Sequence, residues 1–276
     1  MATISTLMAC MSTHRSNAEL LSVAADLAER FSAAVIGVCA SQLSMHPSIR
    51  AVGPGEPRSH ELDKFRERVA VAEAEFRSAL STVNNLLWRA EITAGPTSHY
   101  LARQARAADL LLAASESDDR KVSASSEFEV SDLLMRCGRP VLLAAPGTTG
   151  LKLERTLVCW KDSREARRAV ADALPFLKAS QAVDVVELAG EREIEPAQAR
   201  LADLGDWLQR HGVDANCFAT PLKGVESAHL AAIARDLKAD LVVAGAFGHS
   251  RLREWAFGGV TQDFLTRSER CTLVSH

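Results

Sequence analysis

The chain has 276 residues, 47% hydrophobic and 24% charged, with 32 Lys plus Arg against 35 Asp plus Glu and a formal charge of −3. That length suits one large core or two domains of ordinary size, and the near-balance of charge excludes a whole-chain field aimed at nucleic acid or an acidic membrane. The apolar runs are strand-sized and broken by charge well short of the roughly 18 residues of a membrane helix, and no basic segment precedes an apolar one at Met1-Ala-Thr-Ile-Ser-Thr6, so the expectation is a soluble, cytoplasmic protein.

Short apolar runs alternate with longer amphipathic segments along the chain, which is the pattern of strands feeding crossover helices in a parallel sheet. Strands are expected at 4–10, 34–40, 86–93, 109–114 and 141–145, then at 155–160, 183–189, 213–219, 240–245 and 271–275. Helices are expected at 16–31, 60–81, 97–107 and 129–137, then at 164–178, 196–211, 226–238 and 259–268. Ser163 suits the cap of the helix that follows it, with Arg167 and Arg168 facing solvent, and Pro196 suits a first helical turn.

The chain repeats itself. Ala108-Asp-Leu-Leu-Leu-Ala-Ala-Ser115 matches Ala239-Asp-Leu-Val-Val-Ala-Gly-Ala246 at an offset of 131, which also carries Arg136 onto Arg267 and Arg139 onto Arg270. Thr6–Cys10 matches Thr156–Trp160 at an offset of 150, and the same offset lays Ala33–Val38 over Val183–Leu188. Two homologous halves follow, 1–147 and 151–276, each an α/β unit with its own open, parallel, five-stranded sheet flanked by helices. The two offsets give the first half about 19 extra residues, expected in the Pro- and Gly-rich stretch Ser41–His60, and the boundary falls near Pro146-Gly-Thr-Thr-Gly150. In such units ligands sit beyond the C-terminal ends of the strands.

The segment from Asp240 to Leu265 carries the most chemistry. A strand runs into Gly245 and Gly248, a polar loop follows with His249, Arg251 and Arg253, and Gly258-Gly259 opens an amphipathic helix. Two backbone N–H surfaces can then meet one anion, and glycine leaves room where phosphate approaches the main chain. Neither a GKS or GKT phosphate loop nor a dinucleotide fingerprint is present. His249 is positioned to donate to a phosphate, or it is a solvent-facing loop residue.

The spacing Gly245, two residues, Gly248, nine residues, Gly258, with the ending Cys271-Thr-Leu-Val, resembles the ATP-binding type of universal stress protein domain, and the resemblance covers both halves. It implies a tandem universal stress protein of adenine nucleotide alpha hydrolase-like fold, whose paired domains imitate a homodimer. It implies ATP or a related adenine nucleotide as ligand, with Mg²⁺ entering only alongside it. Gly245 and Gly248 would surround ribose and phosphate, and Gly258 and Gly259 would offer N–H groups to the phosphates. After the first strand such proteins commonly have an Asp on the adenine side. Trp160-Lys161-Asp162 puts Lys161 there, with Asp162 as a substitute one position on and Trp160 as a stacking surface. Gly259 replaces the usual Ser or Thr, and Thr272 the usual Pro.

In the first half the same positions read Ala114, Ser117, Glu127 and Phe128, so a carboxylate and a bulky ring stand where phosphate would rest, and that half is expected to be structural. The eight histidines form no close ligand pair, and the six cysteines, with no CxxC, are expected as free thiols, so no metal site is expected. No nucleophile elbow or general base appears. No catalytic residue is assigned, and slow ATP hydrolysis is the most the sequence allows. The expected function is nucleotide-dependent binding of a protein partner, or homodimerisation, in a stress response. The alternative is a nucleotide-independent scaffold with both sites degenerate. A third class is a protein holding a small apolar ligand in an interdomain cleft.

Overall fold

In the computed structural model the described residues are 4–42, 56–115, 128–246 and 269–276. The first half contains β1 (Thr6–Met11), α1 (Ala18–Phe31), β2 (Ala34–Gln42), α2 (Glu56–Ala79), β3 (Leu86–Thr93), α3 (Thr97–Gln104), β4 (Leu110–Ala114), α4 (Val130–Cys137) and β5 (Val141–Ala144). The second contains β6 (Arg155–Trp160), α5 (Arg164–Ala179), β7 (Ala182–Ala189), α6 (Ile194–Arg210), β8 (Ala215–Pro221), α7 (Glu226–Asp236), β9 (Leu241–Gly245) and β10 (Cys271–Ser275). The expected helix over 259–268 lies outside the described residues.

The two parallel five-stranded units are fused. The ten strands form one sheet in the order β3-β2-β1-β4-β5-β10-β9-β6-β7-β8, parallel throughout except where β5 meets β10. There Leu142 faces Leu273, flanked by Val141 against Val274 and Leu143 against Thr272. The repeat offset of 131 turns each flanking pair into the other and Leu142 into Leu273, so the joint is isologous and this pair marks a local two-fold axis.

Successive side chains of each strand go to opposite faces. Leu7, Ala9 and Met11 of β1 join a core with α1, α2, α5 and α6, while Met8 and Cys10 join a second core with α3, α4 and α7. Across the joint, Phe31 at the end of α1 meets Phe176 of α5 edge to face, with ring centroids 5.7 Å apart.

The hydrogen-bond register corrects the first-strand alignment. The Asp109 carboxylate accepts from Ser5 N and Thr6 N, and Asp240, its equivalent, accepts from Glu154 N and Arg155 N. Leu7 lies beside Leu110 as Thr156 lies beside Leu241. Thr6 therefore corresponds to Arg155, an offset of 149, and Leu7 to Thr156. The Thr-Leu word had drawn the alignment one residue along, which would have swapped the two faces of the strand. The pairs Leu7–Val35 and Thr156–Val183 give 148 for the second strand, and Val35–Leu86 with Val183–Ala215 give 129 for the third. The extra residues of the first half thus fall between β2 and β3, a span that contains the expected insertion and the longer helix α2.

The connection between halves is strapped to α1. Gly147 N donates to Glu19 Oε1 at 3.4 Å, Leu151 N to Asp26 Oδ2 at 2.8 Å, and Arg30 Nη2 to Lys152 O at 3.1 Å. Gly150, at φ +150°, leaves no room for a side chain: a Cβ there would lie 2.2 Å from Asp26 Oδ2.

One buried charge in the second half is fully matched. Asp184 of β7, 2% exposed, accepts from Arg155 Nη1 at 2.7 Å and from Asn216 Nδ2 at 2.8 Å, each on a neighbouring strand. Removing the carboxylate leaves the Arg155 cation without its partner in the sheet. Because Arg155 is itself partly exposed, Asp184→Ala is expected to cost about 2–3 kcal/mol, below the full loss for a wholly buried pair. Urea unfolding of the variant measures it.

Candidate functional site

The candidate site forms where β6 and β9 end side by side. Cys159 lies next to Ala244, so Trp160 and Gly245, the last residues of their strands, reach the same edge of the sheet. The β6–α5 turn, Lys161-Asp162-Ser163, begins there. Ser163 caps α5 as expected, its Oγ accepting from Ala166 N at 3.2 Å, and Arg167 and Arg168 are exposed.

Trp160 is 8% exposed and packs into the α5/α6 core, but its Nε1 has no hydrogen-bond partner among the described residues. Lys161 is exposed and makes no ion pair among the described residues. Asp162 is also exposed but is turned to Arg167, whose Nη2 donates to its Oδ1. Gly245 has a reason of its own: a Cβ would lie 2.5 Å from Ala166 N and 2.6 Å from Glu165 C. The first turn of α5 thus approaches the end of β9 at a distance only glycine permits. Gly248, His249, Gly258 and Gly259 lie outside the described residues.

Two residues that the motif search passed over stand at the same edge. Glu187 of β7 is the register partner of Trp160, is 5% exposed, and gives Oε1 to Arg200 Nη2 of α6 at 2.6 Å. Its Oε2 and Arg200 Nε are buried and have no hydrogen-bond partner among the described residues. The hydrogen bond to Glu187 raises Arg200 above its ordinary value, burial opposes this, and the charges of Glu187, Asp162 and Glu193 add to the rise. The available signal was a glutamate in the otherwise apolar run Val185-Val-Glu-Leu-Ala189.

The first half closes the equivalent end with its own side chains. Asn17, 3% exposed, accepts from Ser12 N at 2.7 Å through Oδ1, and its Nδ2 donates to Ser12 O and to Glu75 Oε2 of α2. Asn17 N and Ser16 Oγ both donate to Glu75 Oε1, and Arg15 Nη1 reaches Ser115 O, just past β4, at 3.4 Å. Ala114 occupies the position of Gly245, and Phe128 packs against the α3/α4 core. Ser117 and Glu127 lie outside the described residues. Among the described residues no group of acids, histidines or cysteines could hold a metal, and no helix is long and apolar enough to cross a membrane.

The fold is a tandem pair of α/β units closed into one sheet, and it is shared with known structures. No family model matches the chain, and no curated protein matches its sequence. Among solved structures, a universal stress protein from Archaeoglobus fulgidus superposes with a TM-score of 0.72 at 14% identity, over 98% of this chain and 97% of that one. A functionally unknown protein from Pseudomonas aeruginosa superposes with a TM-score of 0.62 at 14% identity, over 99% and 92%. The chain therefore has the fold of a tandem universal stress protein along its whole length.

Two outcomes follow from the packing here. Gly245→Ala is expected to destabilise the protein by about 1–3 kcal/mol through the clash with the first turn of α5, whereas Ala114→Gly, which only removes a methyl at the strand end, is expected to cost less. Chemical denaturation of both variants compares them. Burial pushes the Cys159 thiol up to about 12, with the Glu226 charge adding to it, and burial likewise raises Cys10, Cys137, Cys217 and Cys271. Thiols held above their ordinary value of 9.0 favour the folded state below that pH. That contribution is lost as pH rises through the folded values, so stability should fall from about pH 9 upward, read from urea midpoints between about pH 7 and pH 11.

Proposed function

We propose that the second half binds ATP or a related adenine nucleotide at the joined ends of β6 and β9, and that the protein acts in a stress response by nucleotide-dependent association with a protein partner or a second copy, without catalytic turnover. The observation that carries this reading is the contrast between the two strand ends. In the first half Arg15, Asn17 and Glu75 fill the edge, while in the second Lys161 is exposed without an ion-pair partner among the described residues, beside Gly245. Lys161 is suited to a phosphate, as a mobile point charge on a flexible stem. The glycine spacing Gly245, Gly248, Gly258 and Gly259 supplies the sequence argument for backbone N–H donors to the same phosphates. Mg²⁺ would enter with the nucleotide.

The first half acts as the packing partner that completes the sheet. A nucleotide-independent scaffold is the second reading, favoured by the closed edge of the first half and by the absence of a carboxylate at Lys161.

Freshly purified protein, denatured and analysed by mass spectrometry, is expected to release close to one adenine nucleotide per chain. ATP with Mg²⁺ at about 100 times its Kd should stabilise the chain by about 2.7 kcal/mol, and Gly248→Val with Gly258→Val should remove that protection. Absence of both nucleotide and protection selects the scaffold.

A further inference from the structure

We propose that the outer edge of β3 is a docking site for an acidic, extended segment of a partner protein, which adds to the sheet as a further strand and sets its carboxylates against Arg89, Arg103 and Arg106. This goes beyond the nucleotide reading and does not rest on it.

β3 ends the sheet and pairs only with β2 among the described residues. Val35 N donates to Asn85 O, so alternation along the strand turns the N–H and C=O groups of Leu86, Trp88, Ala90 and Ile92 outward. An open row of this kind is a template for another strand, and such main-chain bonds give bound extended peptides their affinity. No proline interrupts the row. The other outer strand, β8, ends on Pro221, which has no N–H to offer.

The side chains beside the edge select the charge of what docks there. Trp88 meets Phe76 of α2, so Leu87, Arg89 and Glu91 lie on the opposite face of the strand, the face of α3. Arg89 Nη1 donates to Gln104 Oε1 at 2.6 Å. Arg103 stands over the Tyr100 ring, 5.9 Å from its centroid, and Arg106 Nη1 donates to Arg103 O at 2.7 Å. Burial raises Tyr100 above its ordinary value and the Glu91 charge adds to this, while the charges of Arg89, Arg103 and Arg106 oppose it. All four charges are therefore within electrostatic reach of one hydroxyl. Arg103 and Arg106 are exposed, Arg89 is half-buried, and none of the three pairs with a carboxylate among the described residues. Three guanidiniums against the single carboxylate of Glu91 leave a cationic patch on a chain whose formal charge is −3. A guanidinium grips a carboxylate through a bidentate fork. Leu87, 53% exposed, offers an apolar contact beside them.

The patch belongs to the first half alone. The third-strand offset of 129 puts Phe218 at Arg89, and carried into α7 it matches Ser98 and Leu101 with Ser227 and Leu230, all buried. Ala232 then stands at Arg103, while Arg235, at Arg106, has a carboxylate of its own, Glu269 at 4.0 Å. Arginines at a sheet edge guard it against strands that do not complement them, and the same charges admit an acidic one.

The test is fluorescence anisotropy of the full chain, without nucleotide, using a labelled peptide of about seven alternating Glu and Thr residues, the length of an ordinary strand. Three further probes are the same peptide with Lys for Glu, the same peptide N-methylated at every backbone amide, and a single-stranded RNA of like length. The parent is compared with the double variant Arg103→Gln, Arg106→Gln, whose folding thermal unfolding confirms, and amide exchange of the parent is followed with and without peptide. The expected result is saturable binding of the acidic peptide, at least tenfold weaker for the Lys peptide, for the N-methylated peptide and for the double variant. Exchange should slow at the amides of Leu86, Trp88, Ala90 and Ile92. No saturable binding of the acidic peptide, binding that survives N-methylation or the double variant, or unchanged exchange at those four amides overturns the proposal. RNA that binds more tightly than the acidic peptide, and is lost in the double variant, assigns the patch to nucleic acid and overturns it as well. Because no nucleotide is present, each of these failures leaves the nucleotide reading standing.

Discussion

The antiparallel meeting of β5 and β10 governs where chemistry can occur in this molecule. Each half is a parallel unit with one ligand-facing edge, at the C-terminal ends of its strands. Joining the units through an antiparallel pair points those two edges in opposite directions. The strand ends of the two halves share no cleft, so a ligand bound at one end draws no residue from the other. The interdomain cleft that a small apolar ligand would need is therefore not formed by the strand ends. The joint also removes two sheet edges from solvent, and with them two templates for unwanted strand pairing.

This separation lets the halves diverge. Asn17 and Glu75 tie the β1–α1 turn to α2 through a network whose buried member, Asn17, is matched at both ends of its amide. Such a network rigidifies an edge and engages its buried amide within the chain. In the second half the helix that follows the first strand is drawn against β9 so closely that only Gly245 fits, and polar atoms around Trp160 are left unmatched. Among the described residues, the first edge is thus tied together by its own side chains, while the second keeps unmatched polar atoms. That asymmetry could be seen only in part from the replacement of Gly245 by Ala114, since the groups that fill the first edge come from α1 and α2 rather than from the glycine motif.

Most of the architecture was legible because apolar periodicity, strand length and the internal repeat all report the same physics of burial. All ten strands lie where the alternation put them, within a few residues at the ends. The misplaced offset has an instructive cause: a shared Thr-Leu word is weaker evidence than the carboxylates of Asp109 and Asp240, which bind the first strand's N–H groups and fix its register. The sequence could not reveal the fusion into one sheet, because the pairing of β5 with β10 depends on two short apolar runs, Val141–Ala144 and Cys271–Ser275, that read alike whether paired or free. At the site, Trp160, Lys161 and Gly245 converge at one edge as the strand order required. Asp162, a candidate for the ligand's base, is exposed at the same turn and paired with Arg167. Glu187 went unnoticed because a motif search looks in loops, while this carboxylate sits inside a strand.

The two carboxylates of β7 make the strongest internal comparison. Asp184 and Glu187 are three residues apart, an odd spacing that sends them to opposite faces of the sheet. On one face Asp184 is provided with Arg155 and Asn216, one for each oxygen, from the strands on either side. On the other, Glu187 receives Arg200 at one oxygen and nothing at the second among the described residues. A fold that supplies two partners to one buried carboxylate has no general difficulty in doing so for another three residues away. The unmatched oxygen lies near the edge where β6, β7 and β9 end. Trp160, its register partner on β6, likewise keeps a buried N–H without a hydrogen-bond partner among the described residues. Packing alone would be served as well by the apolar residues that the first half keeps there, Met11 and Cys39, at lower desolvation cost.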